Sequence, residues 1–355
     1  MSTLGQTNTD LSGPAPLLEI RNVSVDYGQG SEAVHAVRDV SLTIHEGEAI
    51  GLAGESGSGK STLAMAITRL LRNPATISGG EVIYHPRAGE PVDLTQLTRE
   101  ELRPLRWDEL AIVLQSAMNA LNPVLSIEEQ LTDVMCAHRP GMSKRERSER
   151  AAELLELVGV SRDRLRAYPH ELSGGMRQRA MIAMALALNP KLIVMDEPTT
   201  ALDVVTQRQI LDELSGLRER FGFAVLFITH DLSLLLEMAD RIAVMYGGSL
   251  VELAGGEALY HQPAHPYTAG LLGSFPPLSG PRRPLVGIPG APPDPRQLPP
   301  GCPFTPRCAA ATEVCSERRP PLVPAVVTRD GEPERLVACF HNLISDPAAE
   351  AQVAR

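Results

Sequence analysis

The eight residues GESGSGKS, Gly54 to Ser61, follow the apolar run EAIGLAG and open the helical pattern STLAMAITRLL. Their spacing is G-x-x-x-x-G-K-S, and the strand–turn–helix context is that of a phosphate-binding P-loop. Gly54, Gly57 and Gly59 let the backbone wrap a phosphate, and the consecutive N–H groups of the turn point at it from a helix N-terminus. Lys60 is expected to reach the β- and γ-phosphates, and the Ser61 hydroxyl to ligate Mg²⁺. Ser56 and Thr62 complete the set of loop residues expected on the nucleotide.

A second stretch, LIVMDEPT, places Asp196 at the end of an apolar strand, where its carboxylate can hold the Mg²⁺ shell. Glu197 follows at the edge of that strand, where a carboxylate can orient and polarise an attacking water. Alone, either motif indicates a nucleoside triphosphate; together they indicate its hydrolysis. A third stretch, LSGGMRQRAMIAMALAL, sets Ser173, Gly174 and Gly175 before a long helix. That is a second phosphate-binding helix end in a chain whose P-loop already holds one nucleotide. Its expected role is to cap the γ-phosphate bound by another subunit.

The elements that must position these residues are legible as an α/β alternation from Leu17 to about Gln262. LLEIRNVSVDY alternates apolar and polar, as a half-buried edge strand does. KLIVMDE and FAVLFITH carry continuous apolar runs, expected of central parallel strands covered on both faces. RIAVMYGGSLVEL sets Gly247 and Gly248 between two alternating runs, a hairpin signal. About residues 98–179 are charged and helix-favouring, a helical insertion into the α/β core. After Gln262, seventeen prolines fall between Pro263 and Pro324, which predicts a separate segment of turns and extended pieces with little apolar burial. The expected division is a disordered tail at 1–16, a nucleotide-binding unit at 17–262 with its helical subdomain at about 98–179, an extension at 263–345 and a tail at 346–355.

The 355 residues are 43% hydrophobic and 21% charged, ordinary for a globular protein of two or three domains. A formal charge of −10 argues against nonspecific nucleic-acid binding. Of 33 basic residues only Lys60, Lys144 and Lys191 are lysines, so a lysine inside a motif is informative. No apolar run is long enough to span a bilayer. The N-terminus carries no signal-peptide pattern, which leads to the expectation of a cytoplasmic chain with reduced thiols. Four of its five cysteines nevertheless gather near the C-terminus: Cys302, Cys308, Cys315 and Cys339, spaced C-x5-C-x6-C-x23-C. In a reducing compartment such clusters favour metal ligation over disulfides. The spacing fits the paired cysteines of zinc sites poorly, and four thiolates are the usual ligand set of a [4Fe–4S] cluster, the expectation here, with zinc or free thiols as the alternatives. A metal there would supply folding free energy that a proline-rich segment lacks, as a clamp and not a catalyst. Cys136, in the helical insertion, reads as a small buried apolar residue.

Taken together, these motifs resemble the ATPase subunits of ABC transporters over about residues 17–345. The resemblance implies a P-loop NTPase (RecA-like) core with an antiparallel β subdomain, a helical insertion and a C-terminal proline- and cysteine-rich extension. It also implies residue roles. Tyr27 looks like the aromatic that stacks on adenine. Gln115, in AIVLQSAMNALNP, looks like the glutamine that joins the nucleotide and its Mg²⁺ to the membrane partner. LSGGM (Leu172 to Met176) resembles the signature motif acting across a dimer, ALD (Ala201 to Asp203) the loop beside it, and His230 in FITHD the switch histidine on the γ-phosphate. ESGSGKST, QSAMNALNP, YPHELSGGMRQR and the tail HPYTAGLL…GIPGAPP…GCPFTPRC are similar to the dipeptide/oligopeptide/nickel importer branch. That likeness implies ATP-driven import of peptides at the cytoplasmic face of the cell membrane. Partners would be a second identical or paralogous ATPase, two permeases and an extracytoplasmic substrate-binding protein. Some members of this branch carry an iron–sulfur cluster in the cysteine segment. Nickel or oligosaccharide cargo is the alternative within the family, and a soluble ABC ATPase of DNA repair or translation the alternative outside it.

Overall fold

The computed structural model describes residues 15–30, 33–114, 120–200, 202–274, 287–325 and 335–344. The chain opens with β1 (Pro16–Tyr27), β2 (Val34–His45), β3 (Ala49–Ala53), α1 (Lys60–Ile67), β4 (Ala75–Tyr84) and β5 (Val92–Asp93). A short α2 (Arg99–Leu102) precedes β6 (Leu110–Val113), and then come α3 (Ile127–His138), α4 (Lys144–Leu157) and α5 (Gly174–Ala185). Strand and helix alternate again through β7 (Leu192–Asp196), α6 (Val204–Phe221), β8 (Ala224–Ile228), α7 (Leu232–Met238), β9 (Arg241–Tyr246) and β10 (Ser249–Gly255). The last elements are α8 (Gly256–His261), α9 (Pro266–Gly273), α10 (Glu313–Glu317), β11 (Val323–Pro324) and β12 (Leu336–Val337).

The strands make two sheets. One is antiparallel, in the order β2-β1-β4-β5; the other runs β11-β12-β10-β9-β3-β8-β7-β6, parallel from β9 to β6 and antiparallel beyond β9. The parallel strands are buried on both faces, as their continuous apolar runs require. Side chains alternate between the two cores with the pleat: Leu192 and Val194 face the antiparallel sheet, Ile193 and Met195 the helices. Leu63, Ala64, Ala66 and Ile67 of α1 belong to the core between the two sheets, so this helix is held on two sides. Its N-terminus, which is the end of the P-loop, is fixed accordingly. Gly247 and Gly248 join β9 to β10 with φ of 54° and 81°, the left-handed pair that a tight hairpin turn demands.

Four expectations change. β1 is an interior strand, paired with both β2 and β4, not an edge. Alternation reports one solvated face and is silent about whether the strand's edges are paired. The stretch at 98–179 is not wholly helical, because β6 joins the large sheet beside β7. Cys136 is exposed. The buried face of α3 is made by Ile127, Leu131, Val134 and Met135, and position 136 falls opposite Ile127. Finally, the proline-rich segment buries more than expected. Pro266 opens α9 at a position where its missing N–H costs nothing. Tyr267 is fully buried, and its ring meets those of Tyr246 at 4.5 Å and Phe304 at 5.4 Å. A few aromatics thus tie the segment to β9. Residues 1–14 and 345–355, the greater part of the expected tails, lie outside the described residues.

Candidate nucleotide site

At the C-terminal edge of the parallel sheet the chain leaves β3 into the P-loop, β7 into Asp196 and Glu197, and β8 toward His230. The ends of parallel strands are where α/β folds assemble ligand sites. The loop glycines are needed there: Gly54 and Gly59 have φ of 145° and 102°, and a Cβ on either would meet a carbonyl oxygen, Met245 O at 2.3 Å or Ala36 O at 2.4 Å. Lys60 is buried and its ammonium curls back over its own loop, donating to Gly54 O at 2.7 Å, Glu55 O at 2.9 Å and Ser58 Oγ at 3.3 Å. Burial lowers its pKa, while the carboxylates of Glu197, Asp196 and Glu55 pull it back up. These donors are in place for a phosphate chain that replaces the loop carbonyls.

Asp196 is 1% exposed. Burial pushes its carboxyl above the usual range, and a hydrogen bond with Ser61 opposes the shift. Its Oδ1 has no hydrogen-bond partner among the described residues. A buried carboxylate oxygen without a partner is costly unless a cation takes it up. Ser61 and Asp196 therefore fit Mg²⁺, one as a neutral ligand and the other as the anionic one.

Glu197 holds a left-handed backbone, φ 47°, unusual for a residue with a side chain and costing about 1–3 kcal/mol. Its N–H donates to Ile228 O at 2.8 Å, which anchors the turn to β8. Its carboxylate accepts from Thr200 Oγ1 at 3.0 Å and lies 3.4 Å from His230 Nδ1. The side chain of His230 is 69% exposed. The Tyr27 hydroxyl lies 3.3 Å from Thr62 Oγ1, so the aromatic at the end of β1 is joined to the P-loop helix.

Ser173 caps α5, its Oγ accepting from Met176 N–H at 3.3 Å, and stays exposed. Among the described residues, no hydrogen bond or ion pair connects Ser173, Gly174 or Gly175 to the P-loop. A Cβ on Gly175 would meet Thr206 Cγ2 at 2.8 Å, so the start of α5 abuts the start of α6. Asp203 caps α6, and Val204 and Val205 beside it are 80% and 68% exposed. Gln115 and Ala201 lie outside the described residues.

Cys302, Cys308, Cys315 and Cys339 line one small cavity of about 20 Å³ together with His265 and Phe304, and none of them is in a disulfide. Burial raises the thiols of Cys302 and Cys308, and raises Cys339 to about 11. Buried His265 has its pKa lowered to about 3 by desolvation and is neutral. Its Nδ1 accepts from Tyr267 N–H at 3.0 Å, which leaves the proton on Nε2, an N–H without a partner among the described residues. Four thiols and the Nε2–H of His265 thus line a single small cavity. A four-iron group would need the thiols to turn outward from so small a void. No three His, Cys, Asp or Glu among the described residues are grouped to hold a single metal ion.

The contact between the C-terminal extension and the P-loop is not legible in the sequence. Arg307 pairs with Glu55, and Tyr267 accepts the Glu55 N–H. Both residues lie inside stretches quoted above, HPYTAGLL and GCPFTPRC, but nothing in their spacing identifies a partner more than 200 positions away.

This site and fold match a known class of protein. Residues 37–200 match the family described as ABC transporter, and residues 251–315 match the one described as oligopeptide/dipeptide transporter, C-terminal region. The solved ATP-binding cassette MJ0796, a dimer in a post-hydrolysis state bound to ADP and Pi, has 34% identity and a TM-score of 0.59, covering 67% of this chain and 98% of that one. The oligopeptide transport ATP-binding protein AppD of Bacillus subtilis is 45% identical over 326 residues, 91% of this chain and 96% of the relative. The oligopeptide transport ATP-binding protein OppD of Salmonella typhimurium is 41% identical over 341 residues, 95% and 98%. The chain belongs to the ATP-binding subunits of the oligopeptide/dipeptide branch of the ABC transporter family.

Proposed function

We propose that this chain hydrolyses ATP to drive import of di- and oligopeptides through a membrane ABC transporter. The observation that carries the catalytic part is the assembly at one sheet edge: Lys60 over the P-loop, the unpartnered Asp196 oxygen beside Ser61, and Glu197 next to His230. The peptide cargo rests on the relatives' names and on the matched C-terminal region.

ATP lies on the amides of Ser56, Gly57, Gly59 and Lys60, its adenine against Tyr27, with the ammonium of Lys60 on the β- and γ-phosphates. Ser61, Asp196 and Gln115 hold Mg²⁺, which neutralises charge developing on the phosphates. Glu197 orients the attacking water, and His230 donates to the γ-phosphate. Ser173, Gly174 and Gly175 cap the γ-phosphate of a second ATPase subunit, identical or paralogous. The exposure of Ser173, beside the exposed apolar pair Val204 and Val205, supports a surface made to be covered. The remaining partners are two permeases and an extracytoplasmic substrate-binding protein. The chain attaches to the cytoplasmic face of the membrane through the permeases; no helix among the described residues is long and apolar enough to cross a membrane. ATP-dependent peptide uptake by vesicles carrying the whole complex tests this reading; uptake that continues without this chain would refute it.

The four C-terminal thiolates hold an iron–sulfur cluster, a structural clamp that stabilises the bound fold. Protein purified without oxygen is expected to absorb near ~400 nm and to contain about four irons per chain. Cys302→Ser or Cys308→Ser would lower both. Colourless, iron-free wild-type protein would contradict the cluster and leave the ATPase reading standing.

A further inference from the structure

Glu55, the second residue of the P-loop, is held by all three of its polar groups. Its N–H donates to Tyr267 Oη at 2.9 Å, and its carbonyl oxygen accepts from Lys60 Nζ at 2.9 Å. Its carboxylate receives both Nη atoms of Arg307, at 2.7 and 3.1 Å. Two of these three partners come from the C-terminal extension, 212 and 252 positions away.

The Arg307 side chain is 5% exposed and every donor of its fork is used. Besides Glu55, it donates to Pro289 O at 2.8 Å, Ile288 O at 3.4 Å and Tyr246 Oη at 3.2 Å. Its hydrogen bond with Glu55 raises its already high pKa, so the positive charge is permanent. A planar guanidinium locked in this way holds a carboxylate in one position and neutralises it. Neutralisation matters here because the Glu55 charge is felt at the Lys60 ammonium, the group that must pass to the phosphates. An uncompensated Glu55 would compete for that ammonium and repel a triphosphate.

We propose that Arg307 and Tyr267 are positioning residues of the nucleotide site, holding and neutralising Glu55 so that the P-loop is shaped for ATP by the C-terminal extension. The proposal rests on the ATP-binding reading above. It makes the extension part of the nucleotide site, in addition to any group its cysteines hold. Arg307 adjoins Cys308, and Tyr267 lies two residues from His265, so the cysteine cavity and the clamp are built from the same two short segments.

The test is equilibrium binding of a fluorescent ATP analogue, with Mg²⁺, to the full-length chain, together with thermal unfolding of the same samples. Arg307→Met is expected to weaken binding about tenfold, the effect of one uncompensated charge within ~10 Å of the phosphates in a partly solvated site. Glu55→Gln in the Arg307→Met background removes that charge and is expected to restore most of the affinity, even where the melting temperature stays low. Arg307→Lys keeps the charge without the fork and is expected to lose less than Arg307→Met. If Arg307→Met alone does not fold, Arg307→Lys and the double variant carry the comparison. Unchanged affinity in Arg307→Met, or a loss that Glu55→Gln fails to restore, would overturn the proposal and leave ATP binding intact. Wild-type binding insensitive to Lys60→Ala would instead remove the ATP reading, and this proposal with it.

Discussion

Glu197→Gln is expected to bind ATP with wild-type affinity and to hydrolyse it roughly 10²–10⁴-fold more slowly, the range for loss of a positioned general base. The substitution keeps the shape of the side chain and one oxygen, so Thr200 Oγ1 retains an acceptor at 3.0 Å and the left-handed turn anchored to Ile228 is undisturbed. What is lost is the negative charge facing His230 Nδ1 and the water. None of the groups that hold ATP in this account belongs to Glu197, which is why binding and turnover should separate. Single-turnover hydrolysis and equilibrium binding on the same sample measure the two. Near-normal turnover would mean that another group orients the water.

The second large effect belongs to Asp196, where stability and activity should move in opposite directions. Its carboxylate is buried, its pKa is raised by desolvation, and one oxygen has no partner. Without Mg²⁺ the folded chain therefore carries an anion it does not satisfy. Asp196→Asn relieves that burial and is expected to stabilise the Mg²⁺-free chain by about 1 kcal/mol, raising its melting temperature by roughly 2–4 °C. The same change removes the anionic Mg²⁺ ligand, and several kcal/mol of transition-state stabilisation corresponds to roughly 10²–10³-fold in turnover. Thermal unfolding in chelator and ATP hydrolysis in Mg²⁺ check the two halves. A destabilised variant with unchanged turnover would show that Asp196 is a packing residue.

The parts of this molecule legible in its sequence are those set by local rules. β7 and β8 were readable because strands covered on both faces must be apolar throughout, and the β9–β10 turn because two consecutive left-handed residues require glycine. The P-loop was readable because its chemistry confines glycines, lysine and serine to eight positions. Features decided by partners distant in sequence were not readable. Whether β1 is an edge depends on β4, whose paired residues lie 48 (Tyr27↔Ala75) to 66 (Leu18↔Tyr84) positions further along the chain. The extension's order depends on Tyr246, Tyr267 and Phe304 meeting. Prolines mislead in such a segment, since Pro266 starts a helix where a proline within one would break it. Glu55 looks like a variable position of the loop until Arg307 is seen against it.

The central claim is that ATP turned over at Lys60, Asp196 and Glu197 powers peptide movement through a membrane partner. The most direct measurement is ATP hydrolysis by the reconstituted complex in vesicles, with and without peptide-loaded binding protein, alongside peptide uptake. The account predicts that peptide raises the hydrolysis rate, that uptake follows it, and that Glu197→Gln in this chain abolishes both. Hydrolysis and uptake that persist in the Glu197→Gln complex, or hydrolysis indifferent to peptide, would contradict it.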